Sequence, residues 1–141
     1  MILTRNQRNI RKTVKKVKLA LLLTRLAYKR PHVTMLNTQK FDKKGNLWFL
    51  SDAYSLCNQD LLISDSALVI YKNINESTFL NFHGRCSIIN DESILKKLYN
   101  KDTVAYAQQR QEKSLTALKF EIQRADFWDH SSREIKTVFN S

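Results

Sequence analysis

The chain has 141 residues, 43% of them hydrophobic and 26% charged, the size and balance of one globular domain that holds a core without metal or disulfide. Only two glycines, Gly45 and Gly84, and one proline, Pro31, occur, which excludes glycine-rich phosphate loops and collagen-like or Pro/Gly-rich disordered classes. The net charge of +11 sits in one place: of 24 cations, ten (Arg5, Arg8, Arg11, Lys12, Lys15, Lys16, Lys18, Arg25, Lys29 and Arg30) lie in residues 1–30 with no acid, and the rest face all 13 acids. The body is near neutral and carries a basic N-terminal arm. Such an arm suits nucleic acid, an anionic membrane face or an acidic partner; the plainer reading is a solvated helix face.

No apolar run is long enough to span a membrane, and Leu19–Leu23 is too short for a secretory core. A cytoplasmic location is expected. The Arg-rich, acid-poor start also fits an organelle transit peptide, a reading disfavoured because Leu19–Leu23 runs straight into the first core strand. Cys57 and Cys86 provide no disulfide framework and read as reduced thiols. His32, His83 and His130 are far apart, and no Cys/His spacing fits zinc.

In chain order, Ile10, Val14 and Val17 form one apolar stripe on a basic helix over residues 5–18. Leu19–Leu26 reads as a buried strand with its exit at Arg25–Arg30. After Pro31, Val33, Met35 and Asn37 alternate with Thr34, Leu36 and Thr38, a strand expected to be covered on both faces. The turn Asp42–Asn46, with Gly45 at positive φ, joins it to Leu47–Ser51 as a β-hairpin. Tyr54, Cys57 and Leu61 predict a short helix over 54–63. Ala67–Tyr71 is a strand, Asn73–Ser77 a turn, and Thr78–Ile89 a long strand that Gly84 interrupts with a bulge or a close backbone approach. Asn90 or Asp91 caps a helix to Tyr99 with Ile94, Leu95 and Leu98 on its apolar face. A polar helix is expected over 103–113, a strand over 115–122, an extension through Phe127-Trp128, and a frayed helix in the last twelve residues. Short turns between strands imply antiparallel pairing, and six such strands close into a small barrel. The expected architecture is α+β, mainly β: an antiparallel barrel with peripheral helices. Residues 1–18 form a basic helix packed on the barrel, 19–130 the barrel domain and 131–141 a C-terminal tail.

Several segments follow one another in a familiar order: Phe41-Asp42-x-x-Gly45-x-Leu47-Trp48-Phe49, Ser51-Asp52-x-x-Ser55, Phe79–Gly84, Asn90-Asp91 and Ala125-Asp126-Phe127-Trp128-Asp129. Together they resemble the general stress protein branch of the pyridoxamine 5′-phosphate oxidase-like family over residues ~5–130. The resemblance implies a six-stranded split β-barrel that binds FMN, a homodimer with flavins in clefts at the subunit interface, and a flavin-dependent oxidoreductase of undefined substrate. It places Thr34, Met35 and Leu36 where the family has Arg-Pro-Met, whose Arg meets the flavin phosphate. Asn37, Thr38 and Gln39 take the place of Ser-Thr-Gln at the isoalloxazine edge. Leu50 and Ser51 stand in the family's Phe-Thr-Asp, and Ser55 and Cys57 in its Ser-Pro-Lys, whose Lys also reaches the phosphate. Trp128 matches an aromatic beside the flavin. Both phosphate cations are therefore replaced, and Arg25, Lys29 and Arg30, next to the altered strand, are the candidate substitutes.

Trp48 reads as core, and Trp128 as either core or an interface lid. Cys57 reads as a small buried residue rather than a reactive thiol, His83 as a hydrogen-bonded structural residue, and Asp42, Asp52 and Asp129 as turn or cap residues. No carboxylate pair or Ser-His-Asp order is apparent. The alternative function is a flavin-free diverged barrel that binds nucleic acid or another polyanion through residues 5–18.

Overall fold

The computed structural model describes residues 5–99, 114–129 and 134–140. Helix α1 (Arg5–Val17) buries Ile10 and Val14 in the core, leaving them 8% and 2% exposed; each such side chain contributes about 1.5–3 kcal/mol. Arg11 donates to the carbonyls of Phe41 (3.3 Å) and Asp42 (2.8 Å) and lies over the Phe41 ring. These contacts fix the helix so that Arg8, Lys12, Lys15 and Lys16 remain exposed.

Eight antiparallel strands follow: β1 (Leu19–Thr24), β2 (His32–Asn37), β3 (Lys40–Phe41), β4 (Asn46–Asp52), β5 (Ser66–Asn73), β6 (Thr78–Ile89), β7 (Leu115–Asp129) and β8 (Glu134–Asn140). Their order in the sheet is β2-β1-β5-β6-β7-β4-β3, with β8 added on β7. The two ends of this order are consecutive in the chain, which curls the sheet into a barrel. The segment from His32 pairs with β1 as far as Asn37, then changes partner, and the Gln39 N–H meets the Trp48 carbonyl at 2.8 Å. Inward positions alternate as a pleated strand requires: Phe49, Tyr71, Phe82 and Phe120 are fully buried in one core. Burial drives the Tyr71 phenol upward in pKa, and its hydroxyl is held by Thr38 at 2.6 Å.

Helices α2 (Leu56–Ile63) and α3 (Glu92–Leu98) are capped by Ser55 and Asp91, whose side chains accept from Asn58 N and Ser93 N. α3 carries Leu95 and Leu98 onto Ala117, with Trp48 and Leu50 packed against them. The turn before β4 is built on Asp42, which accepts from Asn46 N (2.8 Å) and Trp48 Nε1 (2.9 Å). Burial opposes ionisation there, but these donors outweigh it and hold the carboxyl below its usual pKa. Gly45 takes φ +89 in the same turn.

The long strand over 78–89, the bulge at His83/Gly84 and the Asp91 cap agree with expectation. Other expectations are corrected. The strand count is eight rather than six because β3 and β8 join the sheet. The hairpin around Gly45 joins β4 only to Lys40 and Phe41, since the rest of its first arm pairs with β1. That arm is not covered on both faces: Val33 is 57% and Met35 68% exposed. Tyr54 precedes α2 and is 82% exposed, so the buried set is Cys57, Asn58 and Leu61. Residues 115–129 form one continuous strand, and the expected terminal helix is strand β8, because β7 offers it a free edge over Arg124–Asp129. The expected helix over 103–113 lies outside the described residues.

Candidate functional site

β2 and β4 are not paired with each other, and α2 is hydrogen-bonded to the strands on both sides of this break. At one side Asn58 joins β4 and β7: its Oδ1 accepts from Ser51 Oγ (2.7 Å), and its Nδ2 donates to Thr116 Oγ1 (2.9 Å). Ser51 and Thr116 also share a 2.9 Å hydrogen bond, and Ser55 Oγ reaches Asn58 Oδ1 at 3.2 Å. At the other side Asp60 joins β1 and β2: its Oδ2 accepts from Thr24 Oγ1 (2.8 Å) and lies 2.6 Å from His32 Nδ1. A buried amide that satisfies three partners is costly to remove. Asn58→Ala is expected to destabilise the fold by about 2–3 kcal/mol, read as a lower urea midpoint at unchanged m-value; an unchanged midpoint would discount the network.

Of the residues singled out by sequence, Ser51, Ser55 and Cys57 come together, all turned toward Asn58. Cys57 is 1% exposed, so its position offers a long side chain no path outward. The other thiol, Cys86, is pushed up to about 12, chiefly by burial with Cys57 and Asp65 adding to it, and is inert. Thr34 shares the face of His32 and Leu36, toward α2, whereas Met35 and Asn37 lie on the outer face. Thr38 turns inward to Tyr71, and the Gln39 amide donates to the Asn37 carbonyl. Leu50 is packed in the α3 cluster. Arg25 stacks over Tyr28 in the β1–β2 loop, with Lys29 and Arg30 exposed beside it. Trp128 packs edge-on against Phe79, on β7. Trp128 and Asn37 stand on β7 and β2, strands that do not pair with each other.

Asn58, Asp60 and Thr116 escaped the sequence reading. The available signal was an Asn on the apolar side of a helix, three residues from both its cap Ser55 and Leu61. A polar side chain at such a position needs buried partners.

The outer face of the sheet is unusually apolar. Register places Met35, Leu21 and Ile70 in one row and Val33, Leu23 and Leu68 in the next. Directly paired residues share a face, and Leu19, opposite Asn37, is 48% exposed. Beyond β5 the same rows turn polar: Asp126 is 9% exposed in its side chain and bound by Arg124 Nε at 3.0 Å, with His83 Nε2 at 3.6 Å.

An antiparallel barrel opened on one side and bridged there by a helix defines the split-barrel class. The family pattern described as "Pyridoxamine 5′-phosphate oxidase like" matches residues 5–141, and the chain belongs to that family. Among solved structures it is similar to a Clostridium acetobutylicum protein related to general stress protein 26, of the pyridoxinephosphate oxidase family. That pair has 15% identity and a TM-score of 0.80 over 93% of each chain. General Stress Protein 26 of Bacillus anthracis has 13% identity and a TM-score of 0.67, over 92% of this chain and 99% of that one. A pyridoxamine 5′-phosphate oxidase-related, FMN-binding protein of Nostoc punctiforme has 12% identity and a TM-score of 0.67 over 97% of each. A search of curated proteins finds no match.

The residues of this chain fit the two ends of FMN unequally. At the positions the resemblance assigns to the ring edge, Asn37 is open on the outer face, whereas Thr38 is turned inward to Tyr71 and Gln39 bonds back to the Asn37 carbonyl. On the phosphate side, Thr34 and Cys57 carry no charge, and the hydroxyls of Ser51 and Ser55 are engaged by Asn58. Neither position at which the resemblance expects a phosphate cation carries one.

Proposed function

We propose that the protein is a low-affinity FMN-binding split barrel that works as a homodimer. The observation that carries this reading is the outer face of β2-β1-β5. Its apolar rows, with Val33 and Met35 largely exposed, continue directly into Asn37. A contiguous apolar face of this kind seeks a partner. A second copy seated on it buries the leucines and leaves the ring-side residues at the rim of the interface, where Trp128 of the other copy meets them. Arg25, Lys29 and Arg30 are the cations left for the phosphate. FMN, when bound, supplies hydride chemistry; the chain binds the ring, orients it and excludes water. The reading includes a flavin-dependent oxidoreductase activity in the cytoplasm.

Purified protein incubated with FMN is expected to elute as a dimer with flavin absorbance co-eluting. A colourless protein that quenches the fluorescence of neither FMN nor FAD would sink the reading.

A second reading is favoured by the Asn58 network, which replaces the phosphate site with internal hydrogen bonds, and by the exposed cations of α1. The barrel then acts without flavin and binds polyanions. A labelled oligonucleotide would bind with steep salt dependence, and Arg8→Glu with Lys12→Glu would abolish it. Charge reversal is the appropriate test because truncation removes Ile10 and Val14 from the core.

A further inference from the structure

At the end of the barrel away from α2, a cavity of about 460 Å³ opens between α1, the β3–β4 hairpin and β7. None of the residues matched to flavin positions lines it. Its floor is apolar: Ile10, Phe41, Phe82 and Ile122. Its walls are cationic: Arg11, Lys43, Lys44 and Lys119, against the single acid Glu121.

Lys119 is ion-paired with Glu121 at 3.7 Å, but the other three cations, Arg11, Lys43 and Lys44, are not cancelled locally. Arg11 is held by two backbone carbonyls, which orient the guanidinium without neutralising it. Lys43 and Lys44 have no ion pair among the described residues, and the neighbouring Asp42 carboxylate is turned to Asn46 and Trp48 instead. An apolar floor beneath a surplus of cations matches a ligand with an apolar body and an anionic head, and the volume is that of a small-molecule site.

We propose that this cavity binds an amphipathic organic acid, its apolar body on the half-buried Phe41 and Ile122 and its anion between Arg11 and the Lys43-Lys44 turn. Lys43 and Lys44 sit on an exposed turn whose fold depends on Asp42 and Gly45. They can be changed without touching the core. The proposal does not rest on flavin binding.

The test uses the full chain and 8-anilinonaphthalene-1-sulfonate as the fluorescent probe. Saturable binding at one site per chain is expected, displaced by decanoate and not by decanol. Lys43→Glu with Lys44→Glu should weaken the probe about tenfold or more, through lost charge-assisted contacts. The control, Lys12→Glu with Lys15→Glu, makes the same charge change on the outer face of α1 and should leave the affinity within about twofold. Equal loss in both variants would show diffuse attraction and overturn the proposal. So would displacement by decanol as effective as by decanoate, or an absence of saturable binding.

Discussion

Gly84→Ala is expected to cost about 3 kcal/mol or more and to leave little folded protein. A Cβ at this position would lie 1.9 Å from the Glu121 carbonyl oxygen and 3.1 Å from the Phe120 ring. The first of these is backbone and cannot rotate away. Relief would require β6 and β7 to part at the bulge, where Gly84 faces Ile122 and the register shifts. These two strands are the central pair of the sheet, so the distortion spreads into both halves of the barrel. Urea unfolding followed by circular dichroism gives the comparison. Gly45→Ala is the control: its Cβ meets nothing within 4 Å, and its cost is the φ of +89 alone, about 1 kcal/mol. If the two substitutions shift the midpoint equally, the close approach at Gly84 is not what shapes the bulge.

Thr34→Arg is expected to tighten FMN binding by about 10- to 100-fold. A guanidinium–phosphate contact contributes about 1.5–3 kcal/mol, and each 1.4 kcal/mol is about tenfold in Kd. Thr34 is the better of the two altered positions to restore. It is half-buried beside the break that α2 bridges, whereas Cys57 is sealed within the core. A lysine there would bury an unpaired charge. Flavin fluorescence titration of both proteins at one salt concentration decides it. An unchanged Kd would break the correspondence between Thr34 and the family's phosphate-binding position.

The elements that the sequence made legible are those set by local pattern. The stripe Ile10, Val14, Val17 marks α1, and Gly84 marks the bulge inside an otherwise continuous strand. The partner change after Asn37 is not local: hydropathy does not tell whether Val33–Asn37 pairs forward with β4 or back with β1. β8 was hidden for a similar reason, since its strand character comes from the free edge of β7. The candidate site was half legible. The ordered motifs located Ser51, Ser55 and Cys57, but the residue on which they converge, Asn58, becomes evident only when Thr116 is brought 58 positions back along the chain to meet it. The cavity under α1 draws on four separate segments, and no motif marks it.

Asn58 and Asp60 stand two residues apart on α2 and hold opposite banks of the split: β4 and β7 on one side, β1 and β2 on the other. Detaching eight residues of helix therefore releases both banks at once, while the strand ladders stay paired. The barrel is thus expected to have a partial opening with its own free energy, smaller than that of global unfolding. Amide exchange would report it as α2 exchanging as one unit ahead of β6 and β7, and a ligand that wedges into the split would draw on that same opening.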